Sequence, residues 1–452
     1  MSRLARFRTE SLALARLTGP LVLAQLVYAL MGLLDTVMSG HAGAEEQAVV
    51  ALGVALWAPV FLALLGITQA LSPVVAHHFG AGDHKAIVAD THEGLWLAAL
   101  SGFVPLLLMP FVPTVLAAAS IAPALAAKVN FFLWGIVCGL PAAMLSRTLG
   151  FYSASINETK PLMVFGLIGL AANFVLNWAL IYGHFGLPAL GGAGCGWATA
   201  IGMWLGLALM AIHTARARAY REVYLWRGWS LPHWGRQKKL LKIGLPMGAS
   251  TLVEVSAFAG VALLIGRFGS VPIAAHQVGL NFASLIFMLP LGLANAIAIR
   301  VGQALGAGEV RNARFIAWTG IALALAIAAT MVPVLLFARD AIVALYTPDP
   351  AVRAAAATLM LFATLWQFSD ATQVCAVGAL RGYKVTVLPM AMTIAAFWLI
   401  GLPLGAMLGY RGLFGSGALG LFGFWTGLVV GLTLVAVGSL AALAKVAKAK
   451  LG

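Results

Sequence analysis

The sequence predicts an all-α polytopic membrane protein, with twelve transmembrane helices in two pseudo-symmetric six-helix lobes and both termini in the cytoplasm. Three observations carry this expectation. Of 452 residues, 62% are hydrophobic and only 9% charged, with a mean hydropathy of +0.97, a balance far from that of soluble domains. The apolar runs are about twenty residues or longer, the length a helix needs to cross a bilayer and roughly twice that of a barrel strand. Finally, the second half of the chain repeats the first at one constant offset, the one that carries Pro20 onto Pro246.

Taken in order, apolar runs bounded by Gly, Pro and charge mark spans near 16–40, 47–76, 94–118, 129–155, 161–183, 193–215, 242–267, 273–300, 314–338, 353–380, 385–409 and 417–443. Pro59 and Pro141 mark places where the second and fourth spans would break. The basic N-terminus (Arg3, Arg6, Arg8) runs directly into the first span, without the short apolar core and cleavage site of a removable signal. With the N-terminus inside, only Lys128, Arg267, Arg339, Arg353 and Arg411 of the 28 basic residues fall on the outer face. Arg147, Arg300 and Arg381 count among the inner ones, and this bias places both termini in the cytoplasm. The net charge of +14 therefore reflects membrane orientation rather than a nucleic-acid partner. In a bacterial cell the expected location is the inner membrane.

A polar interval rich in Arg, Lys and Trp divides the chain into an N-terminal lobe (1–215), a cytoplasmic linker (216–241) and a C-terminal lobe (242–452). The linker is expected to lie along the lipid headgroups, with Trp226, Trp229 and Trp234 at the interface. The offset that pairs Pro20 with Pro246 also aligns Leu65-Gly66 with Leu291-Gly292, and Gly80-Ala81-Gly82-Asp83 with Gly306-Ala307-Gly308-Glu309. Six spans per half give the halves parallel topology, related by an axis along the membrane normal. That arrangement suits a transporter with a cleft between lobes, opened alternately to each side.

An acid within a span costs roughly 2.5–3.5 kcal/mol even on lenient insertion scales, so it points to function. Three are present: Asp35, Glu254 and Asp370. At about 1.5 Å per residue, Asp35, Asn177 and Thr199 lie roughly 8–9 Å below the outer surface. Asn173 is one helical turn from Asn177 on the same face. These four would form a polar network around a proton or a small cation; the alternative is that the amides and hydroxyl merely tie helices together, at about 1 kcal/mol each. Glu254 and Asp370 fall near the midplane. Two carboxylates in one low-dielectric space do not readily both ionise, so either one holds a proton or the pair shares a cation such as Na+. Tyr28, Met31, Phe287, Met288 and Trp366 are candidates to line the cleft, where aromatics and Met suit lipophilic cations; such spacing equally fits ordinary packing.

His77 and His78 read as interfacial, and His276 and Gln277 as capping or packing residues. Cys138, Cys195 and Cys375 lack any metal or redox spacing. No phosphate-binding loop and no catalytic constellation is present, so the expected energy source is an ion gradient, no cofactor is implied, and the chain is not expected to be an enzyme.

The segments Leu17–Gly40, Leu52–Asp83 and above all Ile273–Glu309 resemble the multidrug and toxic compound extrusion (MATE) family, NorM-like branch, over essentially the whole chain. The resemblance implies a V-shaped pair of six-helix lobes and export of cationic amphipathic drugs and dyes in exchange for H+ or Na+, by a monomer. Its first-span aspartate falls on Asp35, its fifth-span polar pair on Asn173 and Asn177, and the branch's seventh-span glutamate and tenth-span aspartate on Glu254 and Asp370. Some relatives carry an acid at the position of Asn177; the amide leaves Asp35 the sole carboxylate of its network, which suits a proton as well as a cation. A lipid-linked saccharide flippase of the same superfamily is the alternative; it would favour several arginines for the pyrophosphate.

Overall fold

The computed structural model describes residues 3–412 and 417–451. Those residues contain twelve helices long and apolar enough to cross a membrane and no strand. With no water to satisfy backbone groups in hydrocarbon, an all-helical solution is the one this composition permits.

The spans are Leu4–Ala42, Ala44–Gly80, His84–Ala118, Pro123–Ser155, Lys160–Tyr182, Gly192–Arg216, Trp234–Phe268, Ser270–Gly306, Val310–Phe337, Pro350–Gly382, Val387–Tyr410 and Leu421–Ala449. Several exceed the expected boundaries at their polar ends, because a helix continues past its hydrophobic stretch while the apolar run does not. The first begins at Leu4 rather than near position 16. The second and eighth spans, Ala44–Gly80 and Ser270–Gly306, are related at both ends by the offset that pairs Pro20 with Pro246, and the first and seventh end at the same offset. From the fourth span onward the register slips by one residue or more.

Prolines do not break the helices where the sequence suggests. Pro59 and Pro141 both lie inside continuous helix. The second span is instead interrupted by a turn at Gln69 and Ala70, and the third passes through 3-10 turns at Val104–Leu107 and Met109–Phe111, where Pro105 and Pro110 remove backbone donors. The eleventh contains a π-helical stretch at Ala395–Gly401.

Contacts divide the chain into two compact units, Leu23–Gly248 and Met1–Val22 with Ala249–Gly452. This differs from the expected division at the linker. The two division points lie within the first and seventh spans, at positions equivalent in the repeat and next to the paired prolines Pro20 and Pro246. Each unit thus contains parts of both long helices, a feature that an apolar run cannot reveal.

Within the Leu23–Gly248 unit, buried Phe61, Phe132, Ile136, Leu140 and Met144 form one core. Its tight point is Gly196, where a Cβ would collide with the Phe132 carbonyl oxygen. Small residues let helix backbones approach in this way when lipid provides no hydrophobic drive. In the other unit, Trp366, Phe397, Phe424, Trp425 and Leu428 are the centre of the core, and a Cβ at Gly378 would meet the Ala294 carbonyl at 2.5 Å.

The linker does not simply float on headgroups. It is bound to the rest of the Leu23–Gly248 unit: Tyr152 Oη donates to the Val223 carbonyl at 2.7 Å, and His92 Nε2 to the Leu225 carbonyl at 2.7 Å. Glu93 accepts from the His233 backbone N–H at 2.8 Å and from Gln237 Nε2 at 2.7 Å. Trp226, Trp229 and Trp234 remain exposed. The polar composition of the interval marks it as lying outside the spans, but its His and Glu partners on the third span are invisible in linear sequence.

Candidate functional site

In the Leu23–Gly248 unit the first, fifth and sixth spans bring Asp35, Asn173, Asn177 and Thr199 together. Asn177 Nδ2 donates to Asp35 Oδ1 at 2.6 Å and to Asn173 Oδ1 at 3.2 Å. Asn173 Nδ2 donates to the same carboxylate oxygen at 3.3 Å, and the Thr199 hydroxyl is beside Asp35. The one-turn spacing of the two asparagines is what lets both amides reach one oxygen. Both are buried. Asn177 Oδ1 is also buried and accepts no hydrogen bond, so a neutral acceptor beside the carboxylate is left for a ligand, water or ion.

Asp35 faces a cavity of about 350 Å³, within the size range of small-molecule sites. Tyr28 and Met31 line it, together with Trp57, Phe61, Phe132 and Met203. Tyr28 stacks on Phe61 with ring centroids 6.2 Å apart. The site is therefore largely apolar, with several aromatic and thioether side chains and one acid.

Arg147 lines the same cavity. The charge distribution groups it with the cytoplasmic basic residues, but it is inside the fourth span, its guanidinium 4.8 Å from the Tyr28 ring centroid. The expected fourth span, 129–155, already contains it, and the helix runs without a break to Ser155; what the charge count does not report is the contact with Tyr28.

In the other unit, Glu254 and Asp370 lie within electrostatic range of one another. Trp366, one turn earlier on the same helix, is beside Asp370. A cavity of about 20 Å³ beside Asp370, room for one water, is also lined by Gln367, Trp366 and Phe287. Both side-chain polar atoms of Gln367 and the Oε1 of Gln373 are buried without partners. Sequence reasoning misses these two glutamines, although they flank Asp370 at i−3 and i+3, a spacing that places them along its helix face and is legible. Met288 lines neither cavity, since it is not among the residues around them. Trp366 is only 5% exposed and packs at 5.3 Å on Trp425, so its main work is in the core.

Arg381 requires a second reassignment. It is in the last turn of the tenth span, in electrostatic range of Glu254, rather than a loop charge on the cytoplasmic face. Its Nε is buried without a hydrogen-bond partner. The carboxylate pair thus already has one protein cation nearby, which the expectation of a shared Na+ does not include. No group of three or more His, Cys, Asp or Glu side chains that could hold a metal ion occurs among the described residues.

His78 Nε2 pairs with Asp90 at 3.1 Å, and Asp90 also accepts from Arg236 at 3.1 Å. His276 is buried and accepts from Trp425 Nε1 at 3.1 Å.

The MatE family model matches the chain twice, over residues 20–179 and 246–407, so that the two matches begin at the paired prolines Pro20 and Pro246. The chain belongs to the MatE family. Among curated relatives, the multidrug resistance protein PmpM of Pseudomonas aeruginosa is 43% identical over 97% of this chain and 92% of its own. The probable multidrug resistance protein NorM of Chromobacterium violaceum is 40% identical over 95% and 92%. The multidrug resistance protein MdtK of Yersinia pseudotuberculosis is 40% identical over 96% and 94%. Among solved structures, the eukaryotic MATE transporter AtDTX14 superposes with a TM-score of 0.87 at 21% identity, over 98% of both chains. A MATE protein in the straight conformation gives 0.88 at 18% identity, over 97% of this chain and 96% of that one. At these identities the likeness is one of fold, and it is the MATE fold that this chain shares.

Proposed function

We propose that this MatE protein exports cationic amphipathic drugs and dyes across the inner membrane, in exchange for a coupling ion, by alternating access. The relatives' names support multidrug export. The single observation within this chain that supports it most directly is the Asp35 network opening into an aromatic cavity of about 350 Å³. A carboxylate with two amides, a hydroxyl and one uncommitted amide oxygen can hold one positive charge, and little else in that cavity can.

We take that charge to be a proton that binds Asp35 in one state of the cycle and leaves in the other, with Na+ as the competing assignment. Glu254 and Asp370 form a second coupling locus, with Arg381 balancing part of their charge. Both termini and the docked linker lie on the cytoplasmic side in this reading, which the distribution of basic residues supports, and the working unit is a monomer. The flippase alternative draws little support, since the large cavity has a single arginine.

Growth of a pump-deficient bacterial host on toxic cationic dyes tests export. Expression of the wild-type chain is expected to raise tolerance, and Asp35→Asn to remove the gain at equal membrane abundance. Full tolerance in the Asn variant would rule out a coupling role for Asp35.

A further inference from the structure

The small cavity beside Asp370 has mostly apolar walls, and Asp370 is the one charged residue among those that line it. Gln367, three residues earlier on the same helix, lines it too. Its side chain is only 8% exposed, and neither Nε2 nor Oε1 has a hydrogen-bond partner. A buried amide left unpaired at both ends is costly, so its partner is to be sought in the space it borders. The backbone supplies a third polar group. Pro290, inside the eighth span, has no N–H to give to the Ile286 carbonyl one turn back. Ile286 and Pro290 both line the cavity, so an acceptor that lacks its helical donor belongs to the same wall.

The cavity, about 20 Å³, has room for one water. An apolar space of that size would stay dry, but one with several polar neighbours holds a water. The chemistry of the neighbours selects water over a small cation. A primary amide carries both donors and an acceptor; a cation would use oxygens alone and leave the Nε2 donors unmet. Water can also donate to a carboxylate or accept from a carboxyl O–H, so one molecule satisfies either form of Asp370. The other ionisable groups in electrostatic range of Asp370 are Glu254 and Cys375, and neither lines the cavity. Arg381 does not line it either, and the eighth and ninth spans, which pack on the tenth, add no ionisable side chain to the wall.

From this arrangement we infer that the cavity is a binding site for a single water, held by the Gln367 amide and the Ile286 carbonyl against the Asp370 carboxyl group. Gln367 is then a positioning residue: it acts on Asp370 through that water. The site deepens the coupling role proposed for Asp370, and rests on that role only for its effect on transport.

A structure at a resolution that shows ordered waters tests the site, and export of rhodamine 123 from proteoliposomes under a pH gradient tests its effect. In the wild type one water peak is expected within hydrogen-bonding distance of both the Gln367 amide and Asp370. Gln367→Met, of similar length but without the amide, should lose the peak. So should Ala328→Val, which adds volume to the cavity wall from the ninth span and leaves Gln367 and Asp370 in place. Both variants should export severalfold more slowly while binding rhodamine 123 as the wild type does, a split that a general loss of structure would not produce. Ala328→Val carries the comparison if Gln367→Met does not accumulate. No peak in the wild type, a peak that persists in Gln367→Met, or a peak surrounded by oxygens alone with Nε2 turned away, as a cation would be, overturns the site. Wild-type export by variants that have lost the water overturns the positioning role. A wild type that holds the water but exports no dye contradicts the export function and leaves the water site standing.

Discussion

At Asp35 the side chain's partners are all neutral: two amides and a hydroxyl. Among the described residues no cation is paired with it. The Glu254 side chain is in a different position, with Arg381 in range. The two loci therefore differ in kind, one without a resident cation and one partly compensated. Glu254→Gln and Asp370→Asn should each lower the export rate under an ion gradient while leaving dye binding within about threefold; wild-type rates for both variants would exclude that locus from coupling. Arg381→Gln should lower the melting temperature of the detergent-solubilised protein, because it leaves Glu254 without its counter-charge. In the double variant with Glu254→Gln part of the loss should return, a coupling of about 0.5–3 kcal/mol; strict additivity would show that the two do not interact.

These residues are not equally legible. An acid in the middle of an apolar run is conspicuous because few causes other than function keep it there, and Asn173 and Asn177 declare a shared face by their spacing. Arg147 and Arg381 are hidden by the same bias that reveals the orientation. Basic residues near span ends are so often cytoplasmic anchors that two which turn inward look like the rest. For Arg381 the difference is helix continuation past the expected end at 380, decided by backbone hydrogen bonding that composition does not report; Arg147 is within the expected fourth span, and only the fold brings it to Tyr28.

Among the elements, the third span does most to fix the linker. His92, Glu93 and Trp96 hold backbone groups of the 225–233 interval, with Trp96 Nε1 donating to the Ser230 carbonyl at 3.0 Å. Glu93 alone satisfies one backbone N–H and one side-chain amide. Glu93→Ala is expected to expose the linker: limited trypsin cleavage at Arg221 or Arg227 should accelerate severalfold, with helix content by circular dichroism unchanged. An unchanged cleavage rate would mean the linker is held elsewhere. The eleventh span shows the opposite case, a local departure from regular helix. Its π-helical stretch sets Trp398 so that its Nε1 donates to the Val253 carbonyl at 3.2 Å, next to Glu254 in the chain. Stretches of this type recur at functional sites, and nothing in the Ala395–Gly401 sequence distinguishes it from α-helix.

For the molecule as a whole, the duplication is legible as a constant offset and governs the structure: the second and eighth spans coincide at both ends, and the two unit boundaries fall at equivalent points. The chemistry does not follow the duplication. The large aromatic cavity is in one unit, and the compensated acid pair, with the one-water cavity beside Asp370, is in the other. The repeated scaffold thus carries two chemically unlike sites.

The assignment of a coupling proton to Asp35 is tested by loading proteoliposomes with rhodamine 123 and following its movement against its own gradient, driven by a pH gradient in sodium-free buffer or by a sodium gradient at constant pH. Uphill movement is expected under the pH gradient alone, abolished by Asp35→Asn. Uphill movement under sodium alone, or movement that survives in the Asn variant, would contradict it.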